Sequence, residues 1–368
     1  MKTNQELLNE RTERFTKTLA LEKADRAPII LMIDGFCAVH TGVKMSDFCS
    51  SVKRSNEVML DSIKRLGNVD GVTAAFAVGP IFPLIFMAKV KVPGRELPEN
   101  MLWQLDESEM MTPEDYDTII NKGWGNFMPD YLINRLGFDL PGAAEQLSYS
   151  PQAIQNFNDA GYVVYSPLVT ITVNEYLSGG RSMSKFMRDL YKMPDKVEAA
   201  LEVIQKESLE QLRQQVRAIK PTVVFVSPAR GASEFFAPKL WERFVWKYLK
   251  ETADMIIEEG AICDIHADGN WERDLDYFLD FPKGKIVFEC DGATDIYKIK
   301  EKLGDKYCIK GDIPAALMVL GTPDEVYNFC RKRIEDMGTG YILSNGCTCP
   351  MNAKLENVEA MIAAATGK

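Results

Sequence analysis

ETADMIIEEGAICDIHADGN, residues 251–270, is the stretch that decides the fold. It reads as the end of a helix over 238–259, an apolar strand over 261–265 and a polar exit, His266-Ala267-Asp268-Gly269-Asn270. Working outward, the same unit recurs. Strand-like runs fall at 162–166 (YVVYS), 222–226 (TVVFV), 285–289 (KIVFE), 307–310 (YCIK) and 341–344 (YILS). Helical stretches at 193–219, 271–279, 293–303, 322–335 and 355–366 alternate with them. Short buried strands alternating with helices indicate parallel βα units. Towards the N-terminus, a helix over 5–21 precedes an apolar run at Ile29–Ile33, and a second run follows at Val72–Val78. The count reaches about eight strands, which suits a closed α/β barrel of the (β/α)8 TIM type. The prediction is a single domain over 1–368 with an N-terminal helical and loop extension. Within it, 79–150 is an insertion or lid-like segment, rich in Pro, Gly, Met and aromatics. No G-x-G-x-x-G or G-x-x-x-x-G-K-[ST] follows any strand, so an open nucleotide-binding sheet is disfavoured.

Composition narrows the partners. The net charge of −10 argues against nucleic acid and anionic membrane surfaces. No apolar run approaches the roughly 20 residues that span a bilayer, and Met1 to Glu10 is polar, so a cytoplasmic location is the expectation. The eight cysteines are scattered and read as reduced, mostly buried thiols. With only two histidines, His40 and His266, any site needing several imidazoles is excluded.

In a parallel barrel the reactive groups stand just past the strand C-termini. Those positions carry His266 and Asp268, then Glu289 with Cys290, then Asp312, then Cys347 with Cys349. Imidazole, thiolate and carboxylate together suit zinc, which at catalytic sites takes three protein ligands and keeps one position open. Thiolate disfavours magnesium and calcium. The expected ligands, and with them the catalytic centre, are His266, Asp268 and Cys347. Glu289 is expected as a further ligand or as an acceptor orienting His266. Arg230 and Asp312 are expected to bind substrate. Against each stands a bland role: a hydrogen-bonded strand-end histidine, an ordinary buried cysteine, a rim salt bridge. Cys349 competes with Cys347, and His40, with no cysteine or carboxylate cluster beside it, reads as structural.

At these motifs the chain resembles the uroporphyrinogen decarboxylase superfamily, and within it the cobamide-dependent (corrinoid) methyltransferase branch. The resemblance runs through ERTERFTKTLALEKADRAPI (10–29), SPARG (227–231), LWERFVWKYLKETADMIIEEGAICDIHADGN (240–270), KEKLGDKYCIKGDIPAALMVLGTPDEV (300–326) and ILSNGCTCPMNAKLENVEAMI (342–362). It implies a (β/α)8 barrel. The decarboxylase holds its porphyrinogen with an arginine-rich segment after the first strand, whereas LMIDGFCAVHTGVKM (31–45) contains no arginine. The methyltransferases hold zinc with a His-x-Cys pair and a later Cys in a GC…P segment; His266 and Cys347 fall on two of these positions, and Asp268 replaces the third. A carboxylate in place of a thiolate makes zinc a harder Lewis acid, suited to polarising an ether oxygen. The resemblance therefore implies transfer of a methyl group from an O-methyl or methoxyaromatic compound to a corrinoid (cobalamin). No D-x-H-x-x-G segment is present, so the corrinoid would arrive on a partner protein. A homodimer is an open expectation. Two rival readings are a decarboxylase acting on another acidic substrate, which would need no zinc, and a non-catalytic member with a degenerate site, which would tolerate alanine at His266.

Overall fold

The computed structural model describes residues 2–367. Its eleven strands are β1 (Ile30–Leu31), β2 (Gly71–Val72), β3 (Lys89–Lys91), β4 (Gln104–Asp106), β5 (Val163–Val164), β6 (Leu168–Ile171), β7 (Val223–Ser227), β8 (Ile262–Ala267), β9 (Ile286–Cys290), β10 (Cys308–Ile313) and β11 (Tyr341–Asn345). Leaving aside the small antiparallel β3–β4 hairpin, all pairings are parallel. They form two arcs, β1-β2-β5 and β6-β7-β8-β9-β10-β11.

The arcs make one barrel of eight rungs. β5 and β6 are two halves of a single rung: its first half pairs with β2 and its second with β7. Between them, Ser166 stands where the ladder is interrupted; its hydroxyl accepts from Phe225 N (2.9 Å) and donates to the Leu168 carbonyl (2.7 Å). The following Pro167 lacks an N–H for the ladder. At the opposite seam Ile29 bridges to Leu343, and Leu343 N donates to Pro28 O at 2.9 Å. Inside, a lower apolar layer includes Ile30, Val163, Val223, Val287, Cys308 and Ile342. The helix Asn4–Leu19 closes it from below with Phe15 and Leu19. The charged residues of the N-terminal signature serve this closure. Arg14 Nη1 and Arg26 Nη1 reach the fully buried Asp70 at 2.6 and 2.7 Å, and Arg14 also holds Asp25.

Helices were expected over 193–219, 322–335 and 355–366; they run Pro194–Ile219, Pro323–Met337 and Leu355–Thr366. The run at 72–78 contributes a strand only at Gly71–Val72. The segment 79–150 holds the β3–β4 hairpin and the helices Pro113–Lys122, Trp124–Asp130 and Leu140–Leu147. It docks on the helix Val173–Arg181. Met110 N and Met111 N donate to Gly180 O at 2.9 and 2.7 Å, and the buried Arg181 joins Asp189 and Glu109. Trp124 and Phe127 are buried in that interface, Trp124 against Tyr176 at 5.1 Å, whereas Phe82, Phe86 and Trp103 stay half-buried. No helix of the described residues is long and apolar enough to cross a membrane.

Candidate metal centre

His266 is on β8, and the strand's alternation turns both Asp264 and His266 into the barrel. The His266 ring lies on Phe225 of β7, centroids 5.1 Å apart. Beyond Ala267 the chain leaves the strand at Asp268, whose carbonyl accepts from Trp271 Nε1 at 2.7 Å. Gly269 then takes φ +78° and donates its N–H to Asp291 (2.9 Å). This turn brings Asp268 Oδ1 to 3.1 Å from His266 Nε2.

Cys347 comes from the far end of the arc, three rungs away on the β11 exit. Gly346 lets that exit cross the mouth: a Cβ there would lie 2.6 Å from Asp291 O, and its N–H donates to Ile313 O at 3.0 Å. Asn345 ties the same turn to the end of β1, donating to Met32 O (2.6 Å) and to the Cys347 carbonyl. As a result, one donor atom each of His266, Asp268 and Cys347 lies within 4.8 Å of the others. It is the one such cluster of three among the described residues. Cys347 is exposed, whereas Cys349 is buried and burial pushes its thiol up to about 12. The chemistry of the set, one nitrogen, one oxygen and one sulfur at an open mouth, fits zinc with a vacant fourth position.

Glu289, expected with the ligands, stands on the other side of the imidazole: its Oε2 lies 3.4 Å from His266 Nδ1. It belongs behind the ring and outside the three-donor cluster. Burial opposes its charge, but the Lys310 ammonium and the His266 ring prevail and hold its carboxyl below the usual carboxylate range. For His266 burial acts downward, while Glu289 and contacts with Asp268 and Cys347 hold its pKa well above the ordinary value.

Arg230, on the turn after β7, keeps a partly exposed guanidinium 3.8 Å from Glu175 Oε2, and its backbone N–H donates to Glu175 Oε1 at 2.6 Å. Asp312 corrects the expectation that it faces substrate. It is buried and paired with Arg333 of the helix Pro323–Met337 at 3.0 Å. Gly311, at φ +119°, breaks the alternation that would have kept Asp312 on the inward side with Lys310. His40 donates or accepts at Ser62 Oγ (2.9 Å) and stays apart from the donor cluster.

Three charged groups escaped the sequence reading. Asp264 and Lys310 lie fully buried inside the barrel, and Glu175 lies buried beside Arg230, its carboxyl pushed up to about 7 by burial against the pull of Arg230. Counting back two residues from His266 identifies Asp264 as an inward group. A lysine inside an apolar strand was the corresponding signal for Lys310.

The comparisons with known proteins agree with this architecture. A methyltransferase from Methanosarcina mazei shares the fold with a TM-score of 0.72 at 16% identity, over 96% of this chain and 97% of that one. The uroporphyrinogen decarboxylase of Helicobacter pylori (strain Shi470) is 27% identical over 137 residues, 37% of this chain and 38% of that protein. That of Coxiella burnetii (strain Dugway 5J108-111) is 22% identical over 249 residues, 63% of this chain and 65% of that protein. The chain thus spans less than two thirds of these relatives' lengths. The family model described as "Uroporphyrinogen decarboxylase (URO-D)" matches residues 166–367, more than half of the sequence and the whole run from β6 through β11 that carries the donor cluster, so the chain belongs to the uroporphyrinogen decarboxylase family.

Proposed function

We propose that the protein is a zinc-dependent methyltransferase that moves a methyl group from an O-methyl compound, best a methoxyaromatic, to a corrinoid carried by a partner protein. The observation that carries this reading is the convergence of His266, Asp268 and Cys347 at the barrel mouth. The shared fold with a methyltransferase of Methanosarcina mazei supports it. His266 would hold zinc through Nε2, Asp268 through a carboxylate oxygen and Cys347 through Sγ. When bound, zinc supplies Lewis acidity, polarising the ether oxygen and stabilising the charge left there as the methyl departs. The chain's own groups prepare that site. Glu289 stands ready to take the Nδ1 proton of His266 in a hydrogen bond, leaving Nε2 for the metal. Asp268 contributes a hard oxygen where a thiolate would make the centre electron-rich. Arg230 offers a partly exposed cation for an anionic substituent of the substrate.

A second reading, a decarboxylase acting on another acidic substrate, is favoured by the family's name and its curated relatives. It needs no metal. The absence of arginine from residues 31–45 weighs against a porphyrinogen with many carboxylates.

One assay separates the two. The purified chain is loaded with zinc and given methoxybenzoates, which carry both a methyl ether and a carboxylate, with a reduced corrinoid, and in parallel with thiols. The expected result is methyl transfer to the corrinoid, reduced at least a hundredfold in His266→Ala and Cys347→Ala. Transfer to thiols alone, or CO2 release that persists without zinc, overturns the proposal.

A further inference from the structure

Beneath the donor cluster, the barrel interior holds a row of charge. His266, Glu289 and Lys310 are register partners across the adjacent strands β8, β9 and β10, so their side chains share one layer of the interior. Lys310 is fully buried. Its Nζ lies 2.8 Å from Glu289 Oε1, 3.6 Å from Asp264 Oδ2 and 3.2 Å from Thr73 Oγ1. It also sits 4.4 Å above the Tyr165 ring. Groups from both sides of the barrel therefore hold the ammonium in place.

Glu289 is gripped on one oxygen by Lys310 and faces His266 Nδ1 with the other. Among the described residues, neither Nδ1 nor Oε2 has a completed hydrogen bond. The two face each other at 3.4 Å, and a small ring movement closes the bond. A carboxylate without the ammonium would be a buried charge beside a second carboxyl, Asp264, and would have reason to swing or take up a proton.

We propose that Lys310 is a positioning residue of the zinc site: by clamping Glu289 it fixes the orientation and tautomer of His266 and so aims Nε2 at Asp268 and Cys347. The inference rests on reading the three-donor cluster as a zinc site. The bland alternative is that Lys310 only neutralises two buried carboxylates and contributes to stability alone.

The test uses Lys310→Met, Lys310→Gln and Lys310→Arg in the full chain, with zinc alone as the probe. Zinc affinity is read by chelator competition. The ring nitrogens are read by 15N spectroscopy, which is simple here because the chain has two histidines, with His266→Ala assigning the signals. In the wild type, zinc should give a His266 protonated at Nδ1 and metal-bound at Nε2. Lys310→Met should weaken zinc binding about 10- to 100-fold and blur that tautomer, and Lys310→Arg should recover most of both. If Lys310→Met fails to fold, Lys310→Gln, which keeps a polar donor without the charge, carries the same expectation. Variants that fold, bind zinc within twofold of the wild type and keep the wild-type ring signals overturn the inference while leaving the zinc site standing. A wild type that binds no zinc overturns the zinc reading itself, and this inference with it.

Discussion

Three influences meet on the His266 imidazole: burial disfavours its charge, while the Glu289 carboxylate and the contacts with Asp268, Cys347 and Glu289 favour it and prevail. In the metal-free chain the folded state therefore binds this proton more tightly than the unfolded one. The stability it contributes is fully present below the unfolded value of about 6.5 and is lost as pH rises through the higher folded value. Zinc needs the neutral ring and the Cys347 thiolate, so binding must release protons, and affinity should climb with pH across that window by at least about tenfold per unit. Chelator competition at pH 6.5 and 7.5 checks this; an affinity that does not change with pH would contradict it. Asp268 allows a second check. Asp268→Cys restores the His-x-Cys pair that the family resemblance implies, and should tighten zinc binding at least severalfold while shifting methyl transfer towards thiols. Unchanged acceptor preference would mean that the carboxylate does not tune the metal towards ether oxygens. His266, Asp268 and Cys347 stood out in the sequence because each sits at a strand exit within three residues of a glycine. Lys310 and Asp264 were not, because a charge inside an apolar run acquires meaning only once register shows that its neighbours are charged as well. Asp312 was misplaced because the break in alternation at Gly311 has no signature beyond the glycine itself.

The elements after residue 161 were readable because strand and helix alternate there with little interruption. The exception, the rung split into β5 and β6, hides its second half behind Ser166-Pro167. Pairing with β2 on one side and β7 on the other is a tertiary fact that local pattern does not encode. The extension was harder still, since it docks on two helices at once: on Pro194–Ile219, where Trp124 N and Gly125 N donate to Glu207, and on a notch in Val173–Arg181. A Cβ on Gly179 would lie 1.7 Å from the Phe86 carbonyl, and one on Gly180 2.3 Å from Met111 Sδ. The two glycines thus let the backbone of the 79–150 segment lie directly on the helix. Gly179→Ala should force that contact apart and cost at least ~1–3 kcal/mol, read as a shift in denaturant midpoint. A change within about 0.5 kcal/mol, the range of ordinary surface substitutions, would mean that the close approach at Gly179 does not help hold the segment in place.

Across the whole molecule, the apolar layers and the metal donors occupy different levels of the barrel. The lower core is sealed by Phe15 and Leu19 from the N-terminal helix, and the donors sit at the opposite mouth. Zinc should therefore behave as a ligand of an already folded barrel, unlike the metal of a small zinc-dependent domain. Adding it at a hundred times its dissociation constant should stabilise the fold by roughly 2.7 kcal/mol, and chelation should lower Tm while leaving the far-ultraviolet circular dichroism at room temperature unchanged. Unfolding on chelation would contradict this separation. The claim on which everything else rests is that one nitrogen, one oxygen and one sulfur from His266, Asp268 and Cys347 hold a single zinc. X-ray absorption at the zinc edge, on wild type and on Cys347→Ala, measures it directly. The account predicts one sulfur near about 2.3 Å with nitrogen and oxygen at roughly 2.0–2.1 Å, and loss of the sulfur shell in the variant; a wild-type shell without sulfur, or one that survives the loss of Cys347, would contradict it.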